Sequence, residues 1–495
     1  MTNLFSLNYF GPELVLTGTI LWAIIVDLFY QEERSYRVGL WVIAGIILTA
    51  VALLVNEQSV PVALFLGSVV SDPFSAYFKF LILLATIFTI VVSFSEKDLG
   101  NQRVGEYYVL ISIMVLGMFL MVSASDLILV YLAIEIVSIM SFVLAGYLRG
   151  NRRSSEASLK YVIYGAFSSG IMLFGLSILF GLTGSTNIFD IRAALAGLGS
   201  SADLALILAT IFIFTGFGYK ISAVPFHYWT PDVYEGAPTS ITAYLSVAPK
   251  AAGLALIIRF FNSSLGAPGT FIETEWLFSS AIPWTQVMAV LAVATMTLGN
   301  LIALRQTSVK RMLAYSSIAH AGYMMMGLPV LSEQGIYGIM IYAFLYLFMN
   351  LGAFYVLMLV RNNTGKETFE AFSGLGHSSP LLAIIMTLFM FSLTGIPPTA
   401  GFIGKFYIFS AVIKAGPGFY WLAIIGVINS VVSLYYYMRV VKTMFFKDDT
   451  ESRITIKFSM ISILTVILAV PTFIFGIYWA PVADWVRNSL VLFIR

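Results

Sequence analysis

Apolar residues along this chain come in stretches of about 20, the length a helix needs to cross a hydrocarbon layer. Fourteen such stretches predict fourteen helices, at 12–30, 37–55, 72–95, 106–123, 126–147, 156–182, 203–225, 239–262, 284–304, 309–330, 335–360, 380–413, 419–442 and 458–482. Leu, Ile, Phe and Gly fill them without the period-two alternation of a transmembrane strand. The pattern therefore predicts an all-α polytopic membrane protein. The first basic residue is Arg34, so the first stretch lacks the charged lead of a secretory signal and is expected to stay uncleaved.

Composition sharpens this reading. The 495 residues are 59% hydrophobic and only 11% charged, against about 25% charge in a soluble domain, and the mean hydropathy is +0.91. A net charge of +2 offers no basic field for nucleic acid. With no cysteine, disulfides, Cys-ligated iron–sulfur clusters and covalently attached haem are excluded. The three histidines, His227, His320 and His377, form no pair at helical spacing, so no metal and no cofactor is expected in this chain. Gly404-Lys405 is followed by Phe406, which is not a phosphate-binding loop.

With residues at the stretch ends counted in the adjoining loops, loops after odd-numbered stretches take 17 of the 27 Lys and Arg residues, and the termini and even loops, Arg259 among them, take 5. The positive-inside rule then places the odd loops in the cytoplasm and both termini outside. Five lysines remain inside stretches: Lys79, Lys160, Lys220, Lys250 and Lys405. A charge at a helix centre costs about 2.5–3.5 kcal/mol. Lys79 and Lys160 lie within two turns of an end, where a long stem can snorkel to the interface. Lys220, Lys250 and Lys405 are deeper. Glu135 is the one acid close to a stretch centre, and a midplane Glu with midplane lysines is best explained as a charge-compensated set lining a wet interior path.

Lys220 precedes Pro225 in GYKISAVPFHYW, and Lys405 follows Gly395, Pro397, Pro398, Gly401 and Gly404. Proline removes a helical donor, and broken helices survive at membrane depth only in protein or against a water-filled cavity. Breaks in stretches seven and twelve, five apart, predict two inverted five-helix repeats. The expected organisation is N-terminal helices 1–3 over 1–105, a first repeat over 106–262, a second over 284–442 and a C-terminal helix within 443–495. Lys250 follows Pro249, with Thr239, Ser240, Thr242 and Ser246 in the turns before it. His227, just past the first break, and His320, in SSIAHAGY, are candidate proton relays. His377 falls in a loop and is assigned nothing.

The run GYKISAVPFHYWTPDVYEGAPTSITAYLSVAPK, from Lys220 to Lys250, resembles the antiporter-like subunits of respiratory complex I and of multisubunit cation/proton antiporters. Its TPDVYEGAPT wording, with QTSVKRMLAYSSIAHAGY and FSGLGHSSPLLA, is similar to the subunit N (subunit 2) branch of NADH-quinone oxidoreductases. The resemblance covers essentially the whole chain. It implies fourteen helices with discontinuous helices seven and twelve, and proton translocation through Glu135, Lys220, Lys250 and Lys405, with Glu135 paired to Lys220. It also implies a bacterial inner (plasma) membrane, and partners among other membrane-arm subunits, antiporter-like and small helical ones, in a proton-translocating NADH:quinone oxidoreductase. Flavin, iron–sulfur clusters and quinone are then expected in those partners. The alternative is a subunit of a multisubunit cation/proton antiporter. A structural scaffold would explain the helices but not buried lysines.

Overall fold

In the computed structural model the apolar stretches fold as helices, because each must satisfy its own backbone hydrogen bonds away from water. Residues 3–30, 35–56, 61–100, 102–197, 202–265, 284–330, 332–447 and 459–492 are described. Arg34, Arg453, Lys457 and Arg495, used in the charge count, lie outside them.

The chain starts with α1 (Asn3–Tyr9), α2 (Gly11–Phe29) and α3 (Tyr36–Val55). A small antiparallel hairpin, β1 (Val62–Leu64) and β2 (Val69–Ser71), leads into α4 (Pro73–Ser93). Its strands are too short for the hydrophobic pattern to have announced them. Then come α5 (Gly105–Ser123), α6 (Leu127–Ala145), α7 (Arg152–Thr183), α8 (Ile188–Ala196), α9 (Asp203–Ile221), α10 (Trp229–Gly236) and α11 (Thr239–Phe260). The remainder is α12 (Trp284–Ala303), α13 (Val309–Met325), α14 (Glu333–Thr364), α15 (Leu375–Ser378), α16 (Pro380–Thr394), α17 (Ala400–Lys414), α18 (Tyr420–Phe446), α19 (Met460–Ile477) and α20 (Ala480–Asn488).

Among the described residues twelve helices are long and apolar enough to cross a membrane. They coincide with twelve of the fourteen predicted stretches. The other two stretches differ for physical reasons: α13 has 17 residues and opens on Lys310 and Arg311, and the stretch 380–413 is split into α16 and α17.

Helix starts are fixed by side-chain caps. Asp126 accepts from the Ile128 and Leu129 N–H groups ahead of α6, and Ser308 accepts from Arg311 N–H at the start of α13. The core lies along α11 and α14, whose apolar windows are 100% buried, while α18 is 28% buried and faces outward. Each of the two breaks contains a residue of left-handed backbone, Ser222 (φ 63°) after α9 and Gly395 (φ 90°) after α16, and a cis X–Pro bond, Val224–Pro225 and Pro397–Pro398.

Charges read as loop or interfacial residues turn out to be structural. Lys79 does not snorkel: it is buried and pairs with Glu13 at 2.6 Å. Lys160 bridges Glu156 at 2.9 Å and Asp232 at 2.6 Å. Arg259, counted above as a loop cation, is buried inside α11 and grips Asp72 through two bonds of 2.8 and 2.9 Å, with a third to Val122 O. Unlike the local capping box that Asp72 makes with Ser75, this pair joins chain segments nearly 200 residues apart, so its effect appears only once the helices are packed.

Candidate functional site: a chain of buried lysines across two helix breaks

The first break is closed by side chains, as helix ends at membrane depth require. Trp229 Nε1 donates to Tyr219 O at 3.1 Å while its ring stacks on Tyr161 at 4.3 Å. Thr230 donates to Ser222 Oγ at 2.8 Å, and Val224 N–H donates to Thr295 Oγ1 at 3.0 Å. Lys220 stands on the last turn of α9. Its Nζ donates to Ser138 Oγ on α6 at 3.2 Å. Ser138 is three residues after Glu135, so both lie on one face of α6.

Glu135 is half-buried, and its Oε1 is buried with no hydrogen-bond partner. Among the described residues it forms no ion pair with Lys220: Ser138, not Glu135, is the direct partner of the amine. On its other side the stem of Lys220 lies against α11. A Cβ added to Gly253 would stand 3.6 Å from Lys220 Cγ.

Lys250 projects from the middle of α11 toward α13, donating to Ser317 O at 3.0 Å and to Ser317 Oγ at 2.9 Å. The next turns of α13 carry His320 and Tyr323, so Ser317, His320 and Tyr323 follow one helical face. His320 Nδ1 shares a hydrogen bond with Tyr342 OH at 2.7 Å, and its Nε2 shares one with Tyr437 OH at 3.1 Å. Tyr437 OH in turn meets Ser316 Oγ.

Lys405 lies over the Tyr323 ring at 4.3 Å. Its amine spends its donors on the exposed carbonyls of the second break, Leu393 O at 3.2 Å and Thr394 O at 2.8 Å, and on Ser430 Oγ at 2.9 Å. Ammonium at the C-terminal end of α16 also meets the negative end of that helix. The two breaks thus use lysine differently. Lys220 precedes its break and reaches another helix, whereas Lys405 follows its break and reaches back across it. A cavity of about 640 Å³ beside Lys405, lined by Thr394, Gly395, Phe402, Phe406 and Ser430 among others, opens the second site sideways.

The structure therefore brings Lys250, His320 and Lys405 into one hydrogen-bonded and aromatic neighbourhood, with Lys220 packed on the same α11. His227 does not join it. The residue is buried, its Nδ1 has no partner, and its ring lies against Tyr228 at 4.6 Å. Ser138, Ser430, Tyr342 and Tyr437 were not singled out from sequence, because a Ser or Tyr in an apolar helix is unremarkable until its partner is known. His377 stands in α15, away from these residues. Among the described residues no group of three or more His, Asp or Glu is arranged to hold a metal ion.

Fold and site define a class: a helical, multi-pass membrane protein with ionisable side chains strung between two broken helices. The chain belongs to the NADH:quinone oxidoreductase/Mrp antiporter transmembrane family, whose model matches residues 124–433. It is 44% identical to the NADH-quinone oxidoreductase subunit N of Anaeromyxobacter sp. (strain Fw109-5), over 99% of this chain and 98% of that protein. It is likewise 44% identical to the subunit N 2 of Chloroherpeton thalassium, over 97% and 94%. A chain in the structure of respiratory complex I from Thermus thermophilus with bound aureothin superposes with a TM-score of 0.77 at 28% identity, covering 96% of this chain and 98% of that one.

Proposed function

We propose that this chain is a membrane-arm subunit of a proton-translocating NADH-quinone oxidoreductase. It moves protons across the membrane while partner subunits, which hold flavin, iron–sulfur clusters and quinone, reduce quinone. The observation that carries this reading is the set of buried lysines, each donating to hydroxyl or carbonyl oxygen, Lys220 and Lys405 at the two helix breaks and Lys250 between them in sequence, with Lys250 and Lys405 linked through Ser317, His320 and Tyr323. A buried amine whose charged form is penalised by desolvation exchanges protons more readily than an exposed one. Glu135, one turn from Ser138 on α6, is the counter-charge of Lys220 in this reading.

In this reading fourteen spans, formed by the twelve long helices with α13 and the broken α16–α17, make two inverted repeats after an N-terminal three-helix unit. The N- and C-termini lie outside a bacterial plasma membrane. Lys220 serves the first half, Lys405 the second, and Lys250 with His320 joins them. Full names of relatives support this assignment. The test is purification from native membranes: co-migration with flavin and iron–sulfur subunits is expected, and a flavin-free assembly with cation/proton antiporter subunits would contradict it.

A further inference from the structure

On the odd-loop face, the turn between α4 and α5 carries Glu96, 4% exposed, next to the exposed Lys97. Its carboxylate accepts from the Thr239 and Ser240 N–H groups and from the Ser240 hydroxyl at the start of α11. Ser240 Oγ also meets Tyr107 OH at 2.7 Å. Burial holds the Glu96 carboxyl above the usual carboxylate range, and the Ser240 hydrogen bond, Lys310 and Arg361 pull the other way, while Asp98 adds to the upward shift.

Lys310, buried at the start of α13, bonds the α10-end carbonyls of Glu235 at 3.2 Å and Ala237 at 2.8 Å and pairs with Glu367 at 3.3 Å. Arg361 holds Asp98 at 2.7 Å and also Glu367. Tyr107, Tyr108 and Tyr355 complete the ionisable groups around the carboxyl.

From this cluster a polar line leads inward. Thr239, Thr242, Ser246 and Lys250 follow one face of α11 at helical spacing. Asn350 of α14 donates to Ser246 Oγ. Beside them Asn350 Oδ1 and the Tyr346 hydroxyl are buried with no hydrogen-bond partner among the described residues, while the buried hydroxyls of Tyr355 and Tyr234 stand by Thr89 and Ser317. Buried polar atoms are almost always satisfied, and where protein does not do it, ordered water does. Lys250 Nζ lies 5.8 Å from the centre of the Tyr234 ring, at the inner end of the line.

We propose that Glu96 takes up a proton at the odd-loop face and passes it along the α11–α14 interface to Lys250, by a route that does not run through Lys220. The inference rests on the proton-translocating reading above. The carboxylate gains a proton from the adjoining aqueous phase and becomes a carboxylic acid. It then gives that proton to bridging water. The neutral amine of Lys250 ends as ammonium while Glu96 returns to carboxylate, and no other reactant is consumed. Lys310 and Arg361 hold the resting carboxylate in place at the mouth.

The test uses the assembled enzyme in vesicles, comparing Glu96→Gln, Glu96→Asp and Tyr355→Phe with Lys220→Ala and Lys405→Ala. Glu96→Gln is expected to lower coupled quinone reductase turnover on the order of tenfold or more, the scale of a lost positioned proton carrier. Glu96→Asp should restore part of it. Tyr355→Phe keeps the ring and removes only the hydroxyl, yet it should lower turnover several-fold. Infrared difference spectra should show a protonated-carboxyl band in the parent enzyme that Glu96→Gln abolishes.

Normal turnover in both assembled variants, or a band that survives Glu96→Gln, overturns the route while Lys220→Ala and Lys405→Ala still impair pumping. If Glu96→Gln fails to assemble, normal turnover in Tyr355→Phe overturns it. Normal pumping in Lys220→Ala and Lys405→Ala would instead overturn the broader reading on which it rests.

Discussion

At the scale of single residues, the central element of the proposed function is an amine that both holds and releases a proton. Lys220 is buried against α11 with Ser138 Oγ as its direct partner. Lys220→Ala should abolish or strongly reduce proton pumping. Lys220→Arg should also impair it, because a guanidinium with a pKa above 12 does not release its proton. The proton-to-electron ratio of assembled enzyme is the readout, and a normal ratio in the Arg variant would contradict proton exchange at this position. Glu135→Gln keeps the side chain's shape and removes its charge, so turnover should fall with near-normal assembly. Normal turnover of that variant at every pH tested would make Glu135 structural.

The deep lysines were legible in the sequence because a charge in the middle of an apolar stretch has no ordinary explanation. Glu96, Lys310 and Arg259 were not. They stand near stretch ends, where charges are common, and only packing shows them to be buried. His227, a candidate relay from its place beside a break, lies with its ring against Tyr228.

At the scale of elements, the proposed function depends on helices that stop. Proline and glycine clusters marked both breaks in the sequence, since proline cannot donate and glycine alone enters the left-handed region without strain. What they could not give is where the freed carbonyls point. In the structure those of Leu393 and Thr394 face the Lys405 amine.

Gly395 and Gly184 allow a matched test. Both have positive φ, 90° and 70°, so an alanine at either position should cost about 1–2 kcal/mol in backbone strain. At Gly184 nothing lies within 4 Å of the added methyl, whereas at Gly395 it would meet Lys405 Cδ at 2.9 Å. Gly184→Ala is expected to lower thermal stability slightly and leave pumping intact, and Gly395→Ala to lower both stability and turnover. Equal turnover in the two variants would separate the second break from the proton path. The same scale explains the shortened α13: its first turn is charged because Lys310 and Arg311 tie it to α10, and hydropathy alone cannot see such a tie.

At the scale of the whole molecule, the two fully buried helices α11 and α14 form the core on which both breaks converge. The helical class and twelve of the fourteen stretches followed from the sequence because the hydrocarbon layer imposes one length and one kind of structure on every span. Contacts between distant segments did not, and Lys79–Glu13 and Arg259–Asp72 are examples. No local pattern pairs residues on different helices. The same holds for the join between halves, where Lys250 meets Ser317 on α13 and Lys405 sits over Tyr323 two turns further along that helix.

If protons cross from one half to the other through this join, blocking the far end must hold back the charge behind it. The decisive measurement is therefore the proton-to-electron ratio and the quinone reductase rate taken together in reconstituted vesicles, for Lys405→Ala and Lys405→Arg. Lys405→Ala should depress both, and Lys405→Arg should depress pumping while retaining part of the electron-transfer rate through its fixed charge. Unchanged ratio and unchanged rate in an assembled Lys405→Ala enzyme would contradict the claim that the second half lies on the proton route.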